Sequence, residues 1–197
     1  MSETKTVEVR WSDVEKLIKK HYRGELSDSI KVALAVVAAL SLKGRDHCLV
    51  VVFEGGSGQG KSIIVRSLMP DRPETEKFLK RVDDFTPASF VSHASNRKEE
   101  ELEANDLLPQ LKDKVMLTKE LAPLFRDDDK ELRQNFGRLT SVLDGDGYKT
   151  HSGVHGARGY TGRYVFNWVG ATTPIPERTH KMMAQLGNRI LFHEVAG

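Results

Sequence analysis

Apolar residues along this 197-residue chain recur in two ways, and each way predicts a different kind of element. Short apolar runs bounded by turn residues predict buried strands: residues 49–53 (LVVVF), 114–118 (KVMLT), 164–170 (YVFNWVG) and 189–195 (RILFHEV). Residues 82–91 (VDDFTPASFV) predict a further strand, broken or at a sheet edge because Pro87 cannot donate to a ladder. Helical spacing fills the intervals. Ser12-Asp13-Val14-Glu15 has the form of a capping box and opens a helix to about Tyr22, with Val14, Leu17 and Ile18 on one side and Gly24 as its stop. Residues 29–42, capped by Ser27 or Asp28, are apolar nearly all round, as in a helix buried against a sheet or another helix. Leu132, Phe136, Leu139 and Leu143 recur at helical spacing after an acidic start at 127–129, and residues 177–186 predict a short helix. Strands alternating with helices predict an α/β fold, a mainly parallel five-stranded sheet flanked by helices with ligand bound at the carboxyl ends of the strands. Residues 1–44 read as an N-terminal helical extension to a core of residues 45–197.

The first apolar run enters Gly55-Gly56-Ser57-Gly58-Gln59-Gly60-Lys61-Ser62, and Ile63, Ile64, Val65 and Leu68 then begin a helix. This is the spacing G-x-x-x-x-G-K-[ST] in the strand–loop–helix setting that a phosphate-binding loop requires. Glycines let the backbone curl into a nest of N–H donors around a triphosphate, and the start of the following helix adds the positive end of its dipole. Lys61 is placed to reach the β- and γ-phosphates, and the Ser62 hydroxyl to hold Mg²⁺. The stretch implies a nucleoside triphosphate with Mg²⁺ as the ligand pair.

Composition narrows the setting. Thirty Lys and Arg against 28 Asp and Glu give a net charge of only +2, so any basic surface must be local. A single cysteine, Cys48, excludes an internal disulfide and fits a reducing, cytoplasmic setting; at the start of an apolar strand its expected role is structural. The first ten residues have no apolar core of the signal-peptide kind, and the most apolar stretch, 32–42, is far shorter than the ~20 residues of a membrane span. Residues 92–106, with Arg97, Lys98, Glu99, Glu100, Glu101 and Glu103, read as a solvated helix or loop.

A local basic surface does occur. After the turn Asp144-Gly145-Asp146-Gly147, residues 148–164 (YKTHSGVHGARGYTGRY) lack a helical period and predict a hairpin with a mobile tip. Lys149, His151, His155, Arg158 and Arg163 are interleaved with Tyr148, Tyr160 and four glycines, and no acid interrupts them after Asp146. Basic groups on a glycine-rich tip with aromatics nearby suit a nucleic-acid backbone or single strand, and equally a subunit contact or a plain surface loop. His151-x-x-x-His155 lacks third and fourth ligands nearby and is not read as a zinc site.

Taken together, GGSGQGKS, a strand ending Lys119-Glu120, the DGDGYKTHSGVHGARG hairpin, a strand ending GATTPIP and a late LGNRILF resemble the AAA+ class of P-loop ATPases. More narrowly they resemble a prokaryotic, helicase-like group associated with phage, plasmid and mobile-element replication, over residues 49–195, about three-quarters of the chain. The resemblance implies ATP as the nucleotide, Glu120 as the acid that orients water and helps hold Mg²⁺, and Thr172 or Thr173 as the polar sensor at the end of the fourth strand. It implies that Arg189 is the arginine finger reaching a neighbouring subunit's nucleotide, and hence a homo-oligomer, a ring being one form. It also implies that the hairpin projects into a channel before the sensor strand, where Lys149, His151, His155 and Arg158 meet DNA. Two departures stand out. Lys119 occupies the first of two usually adjacent acids, with Asp83, Asp84, or Thr118 through a water as candidates to compensate. A C-terminal helical lid carrying another sensor is expected after the fifth strand, and the sequence to Gly197 holds no such segment. Two other classes share a P-loop: a small-molecule phosphotransferase, which needs an arginine-rich lid segment not evident here, and a nucleotide-gated switch or scaffold with little turnover. A GTPase is disfavoured because no N-K-x-D segment follows the third strand.

Overall fold

The computed structural model describes residues 9–22, 24–92, 98–125, 128–152, 156–185, 187 and 189–195. Its strands are β1 (Leu49–Glu54), β2 (Leu79–Arg81), β3 (Val115–Thr118), β4 (Gly147–Ser152), β5 (Gly156–Thr161), β6 (Asn167–Thr172) and β7 (Ile190–Glu194). Its α-helices are α1 (Trp11–His21), α2 (Gly24–Ala38), α3 (Lys61–Ser67), α4 (Pro73–Glu76), α5 (Glu99–Asn105), α6 (Leu107–Leu111), α7 (Asp129–Leu143) and α8 (Glu177–Gln185). Five strands form one sheet in the order β2-β3-β6-β1-β7, and every pairing within it is parallel. The remaining two, β4 and β5, form a separate antiparallel hairpin.

Two-residue alternation along β1 builds a core on each face of the sheet. Val50 and Val52 enter one layer with Met116 and Trp168, covered by Leu108 and Leu111 of α6, Leu132, Phe136 and Leu139 of α7, and Met182 and Met183 of α8. Val51 and Phe53 enter the other with Leu117 and Val169, covered by Ile18 of α1, Leu26, Ile30, Ala33 and Val36 of α2, and Ile64 and Val65 of α3. Parallel strands covered on both faces read as continuous apolar runs, which is why β1, β3 and β6 were legible as such. Helices α1 and α2, within the stretch read as an N-terminal extension, thus supply part of one covering layer. No described helix is long and apolar enough to cross a membrane.

Three local expectations are corrected. The second strand is not residues 82–91 but β2, which pairs Leu79 with Val115 and Arg81 with Leu117. Pro87–Phe90 is instead a 3₁₀ turn with Pro87 in its first positions and a reciprocal Thr86–Ser89 cap. The apolar residues that suggested a strand are buried one at a time: Phe85 packs edge-on to Trp168, and Phe90 stacks on Phe166. The capping box at Ser12–Glu15 does not form, because α1 starts two residues earlier with Arg10 as its N-cap. Glu15 instead meets Lys31 of α2 at 3.1 Å and Lys19 at 3.6 Å. Gly24 opens α2 rather than closing α1, so Ser27 and Asp28 lie inside that helix instead of capping it.

Candidate functional site

The phosphate loop joins the carboxyl end of β1 to the start of α3. Gly58 and Gly60 carry φ of 82° and 87°, the left-handed conformation that folds the backbone over itself and that other residues adopt only under strain. A Cβ at Gly60 would also sit 2.9 Å from the side chain of Leu26, so α2 packs directly on the loop and fixes its outer wall. At Gly55 a Cβ would collide with the Gln59 carboxamide and stand 3.2 Å from the Val195 carbonyl. The Gly55 N–H donates to the Thr172 carbonyl at 3.3 Å, tying the loop to the end of β6.

Lys61 is buried, only 7% exposed, and its ammonium donates to the Gly56 carbonyl at 2.5 Å. The Gly56 N–H is accepted by Gln59 Oε1. Ser57, Gly58 and Ser62 lie at the surface of the loop. This glycine loop, turned by left-handed Gly58 and Gly60 and lined by one buried ammonium, fits a phosphate chain. The exposed Ser62 hydroxyl at the head of α3 fits one oxygen ligand of a hard cation shared with those phosphates. Among the described residues no group of three or more His, Cys, Asp or Glu could hold a metal by itself.

The acid expected after β3 is present but occupied. Glu120 is exposed, and its Oε1 accepts the Ala122 N–H at 2.8 Å, capping the 3₁₀ turn Ala122–Phe125. Lys119 reaches Asp83 Oδ1 at 3.4 Å, while Arg81 holds the other Asp83 oxygen. The Arg81 hydrogen bond above all, with help from Lys119, keeps the Asp83 carboxyl below the ordinary carboxylate range. Asp83 is therefore a counter-ion to two cations, and the cation that replaces the expected acid is neutralised within the protein. Asp84 is exposed. Thr118 is buried and accepts the Trp168 indole N–H at 3.1 Å, so its hydroxyl faces the core.

Of the two threonines ending β6, Thr172 is wholly buried and donates its hydroxyl to the Thr173 carbonyl at 3.0 Å; Thr173 is the more exposed. Sequence reasoning missed their neighbour Glu54. It ends β1 one residue before the loop, pairs in register with Thr172, accepts the Ile175 N–H at 2.8 Å and lies 3.4 Å from His180 Nε2. An acid closing an otherwise apolar strand directly before a glycine loop was the available signal.

Arg189 stands at the other end of the sheet. Ile190 pairs with Val50 near the start of β1, whereas the phosphate loop follows Glu54, so the two lie on the order of 15 Å apart along the strand. Its Nε and Nη2 each donate to Asp144, the C-cap of α7, at 2.8 Å. Arg189 cannot serve the loop of its own chain.

The hairpin register divides the basic residues between two faces. Tyr148 opposes Tyr160 and Thr150 opposes Arg158, while Lys149 opposes Gly159 and His151 opposes Ala157. Directly opposed residues share a face. Tyr148 and Tyr160 pack against the core, which puts Arg158 on the inward side with them. There Arg158 Nη2 donates to Asp106 Oδ2 at 2.6 Å, and the Tyr160 hydroxyl donates to the same oxygen at 2.7 Å. Lys149 and His151 are exposed on the opposite face. Arg163 pairs with Asp113 at 2.6 Å. His155 lies outside the described residues.

No protein-family model matches the chain, and no curated protein sequence matches it. Solved structures do. NtrX from Brucella abortus in complex with ATP superposes with a TM-score of 0.47 at 13% identity, over 93% of this chain and 41% of that one. The same protein in complex with ADP gives a TM-score of 0.46 at 12% identity, with the same coverage. The chain thus spans about two-fifths of the length of the solved structures it matches. A parallel sheet covered on both faces, with a glycine loop and lysine between an inner strand and its helix, is the P-loop NTPase fold.

Proposed function

We propose that this chain is an AAA+ type ATPase core that binds MgATP, hydrolyses it as a homo-oligomer, and acts on DNA as a helicase-like or replication-associated module. The observation that carries the reading is Lys61, a buried lysine in a glycine loop that packs against Gln59 and the Val195 carbonyl at Gly55 and turns through a left-handed φ of 87° at Gly60. A buried ammonium whose described partner is one backbone carbonyl favours an anionic ligand that supplies the missing charge. In the bound state the backbone N–H groups of residues 57–62 hold phosphate oxygens and Lys61 exchanges the Gly56 carbonyl for them. Mg²⁺, when bound, neutralises charge on the β- and γ-phosphates, with the Ser62 hydroxyl as one ligand. Glu120 takes the water-orienting role after leaving the Ala122 N–H, and Thr173 is the better placed of the two sensor candidates because Thr172 is buried. Arg189, remote from its own loop, acts across a subunit boundary, and Lys149 and His151 are the hairpin groups that meet DNA.

Lys61→Ala tests the reading. Calorimetry is expected to show loss of ATP binding with the fold intact by circular dichroism; an unchanged affinity would overturn it. The wild-type ATPase rate, measured with and without single-stranded DNA beside the solution mass with nucleotide, tests the motor: stimulation by DNA in an oligomer supports it.

A second reading has its own observation. Lys119 neutralised by Asp83, and Glu120 spent on a cap, describe a site that holds nucleotide without readying water. Tight ATP binding without turnover, in the presence of DNA and in the oligomer, is the outcome that makes the chain a nucleotide-gated switch.

A further inference from the structure

Within the phosphate loop one side chain does something that the spacing of glycines, lysine and serine does not require. Gln59 folds back over the loop instead of pointing away from it. Its Oε1 accepts the Gly56 N–H, and its carboxamide occupies the space a Cβ at Gly55 would need. A Cβ at Gly56 would lie 3.4 Å from both Cδ and Oε1 of Gln59, and 3.6 Å from Nε2. The orientation of the amide is settled by chemistry: the Gly56 N–H is a donor, so the atom it meets must be the oxygen. The Nε2 group therefore carries two N–H donors on the other branch of the same planar fork, with no partner among the described residues. Together with Lys61 on the Gly56 carbonyl, Gln59 holds both polar groups of that residue's backbone.

We propose that Gln59 both braces the loop and binds the nucleotide: its oxygen locks the Gly56 N–H, and the amide nitrogen so oriented donates to a phosphate oxygen of the bound triphosphate. This rests on the phosphate-loop reading and adds a side-chain donor to a cradle otherwise made of backbone and lysine. Because the carboxamide is rigid and planar, the brace orders the donor before nucleotide arrives, and less rotamer freedom is lost on binding.

The test uses the full chain, two variants and two readouts. In the nucleotide-free protein, amide exchange of Gly56 by NMR reports the brace. Wild-type protein is expected to protect this amide, Gln59→Ala to lose the protection, and Gln59→Glu to keep it, because a carboxylate oxygen still accepts. Calorimetry then reports the donor. Gln59→Ala is expected to weaken ATP binding about tenfold, the scale of one hydrogen bond to a charged group. Gln59→Glu, whose brace survives but whose donor becomes an anion facing phosphate, is expected to weaken it by about a hundredfold or more. Equal melting temperatures check that both variants fold, and the near-isosteric Gln59→Glu keeps the test open if Gln59→Ala does not. Unchanged Gly56 exchange in Gln59→Ala overturns the brace, and wild-type ATP affinity in Gln59→Glu overturns the donor. If wild-type protein binds no ATP, the phosphate-loop reading itself fails and this assignment falls with it; if wild type binds and Gln59→Glu binds equally, the Gln59 assignment alone is wrong.

Discussion

Asp106 has the most completely satisfied buried side chain of any acid described in the molecule. Its side chain has no exposed area, and it accepts from the Ser92 N–H at 2.9 Å, the Ser92 hydroxyl at 2.6 Å, Arg158 at 2.6 Å and the Tyr160 hydroxyl at 2.7 Å. Burial pushes its carboxyl up, but the bonds from Ser92, Tyr160 and Arg158 outweigh that and leave it below the ordinary range. The sign of the consequence follows from linkage. A carboxyl depressed in the folded state adds stability that is complete above the ordinary carboxylate pKa and is lost as pH falls through the folded value. Asp106→Asn leaves Arg158 inward without its counter-charge, and is expected to cost about 3 kcal/mol near neutral pH, the scale for stripping one partner from a buried pair. For a chain of this length that is a drop in Tm of roughly 6–12 °C, read by calorimetry, and the gap to wild type should narrow in acid. An equal Tm at pH 7 would refute the role. Nothing in the sequence marked Asp106, because it closes a run of charged residues that reads as solvated. Its partners Arg158 and Tyr160 lie 52 and 54 positions away, a separation that local pattern cannot see.

At the scale of the element, legibility followed burial. Strands β1, β3 and β6 were visible because strands covered on both faces must be apolar at nearly every position; of the two edge strands, β7 was visible from its Ile190-Leu191-Phe192 run although Leu191 is exposed, and β2 (Leu79-Lys80-Arg81), with two cations in three residues, escaped. The strand, glycine turn and helix around residues 55–62 were legible because the spacing of the glycines dictates that conformation. The hairpin was visible as an element, but the side on which each basic residue falls was not, since Gly147 and Gly159 let the strands approach so closely that only the register decides. That register makes a prediction. Lys149→Ala with His151→Ala, on the outward face, is expected to weaken single-stranded DNA binding with no change in Tm. The slope of log affinity against log salt should fall by about 0.7 for each phosphate that the variant no longer neutralises. Arg158→Ala is expected to behave in the opposite manner, lowering Tm through Asp106 before it touches the salt slope. Titrations of a labelled oligonucleotide across a salt series, with a melting curve for each variant, separate the two. Outward substitutions that leave affinity and slope unchanged would remove DNA from the hairpin's role.

The whole molecule places its proposed catalytic parts at opposite ends of one sheet. The phosphate loop, Glu120 and Thr173 lie at the carboxyl edge of the strands, and Arg189 lies where β7 begins. An arginine whose backbone lies on the order of 15 Å along the strand from its own loop, with its guanidinium held by Asp144, can stabilise a transferring phosphoryl group only in another copy of the chain. Its present partner, Asp144, is an exposed ion pair, and such pairs typically contribute only ~0–1 kcal/mol, a small barrier to re-engagement at an interface. The geometry therefore predicts complementation. Arg189→Ala alone and Glu120→Gln alone are each expected to lose most ATPase activity, by about a hundredfold or more for a finger arginine. When the two variants are mixed in equal amounts, some interfaces join an intact Glu120 and loop from one subunit to an intact Arg189 from the other. A fraction of the activity, rising with total protein concentration, should return. Recovery that follows the statistics of mixed interfaces would place the active site between subunits, whereas a fully active monomer, or a mixture no more active than either variant, would return Arg189 to a purely structural pairing with Asp144.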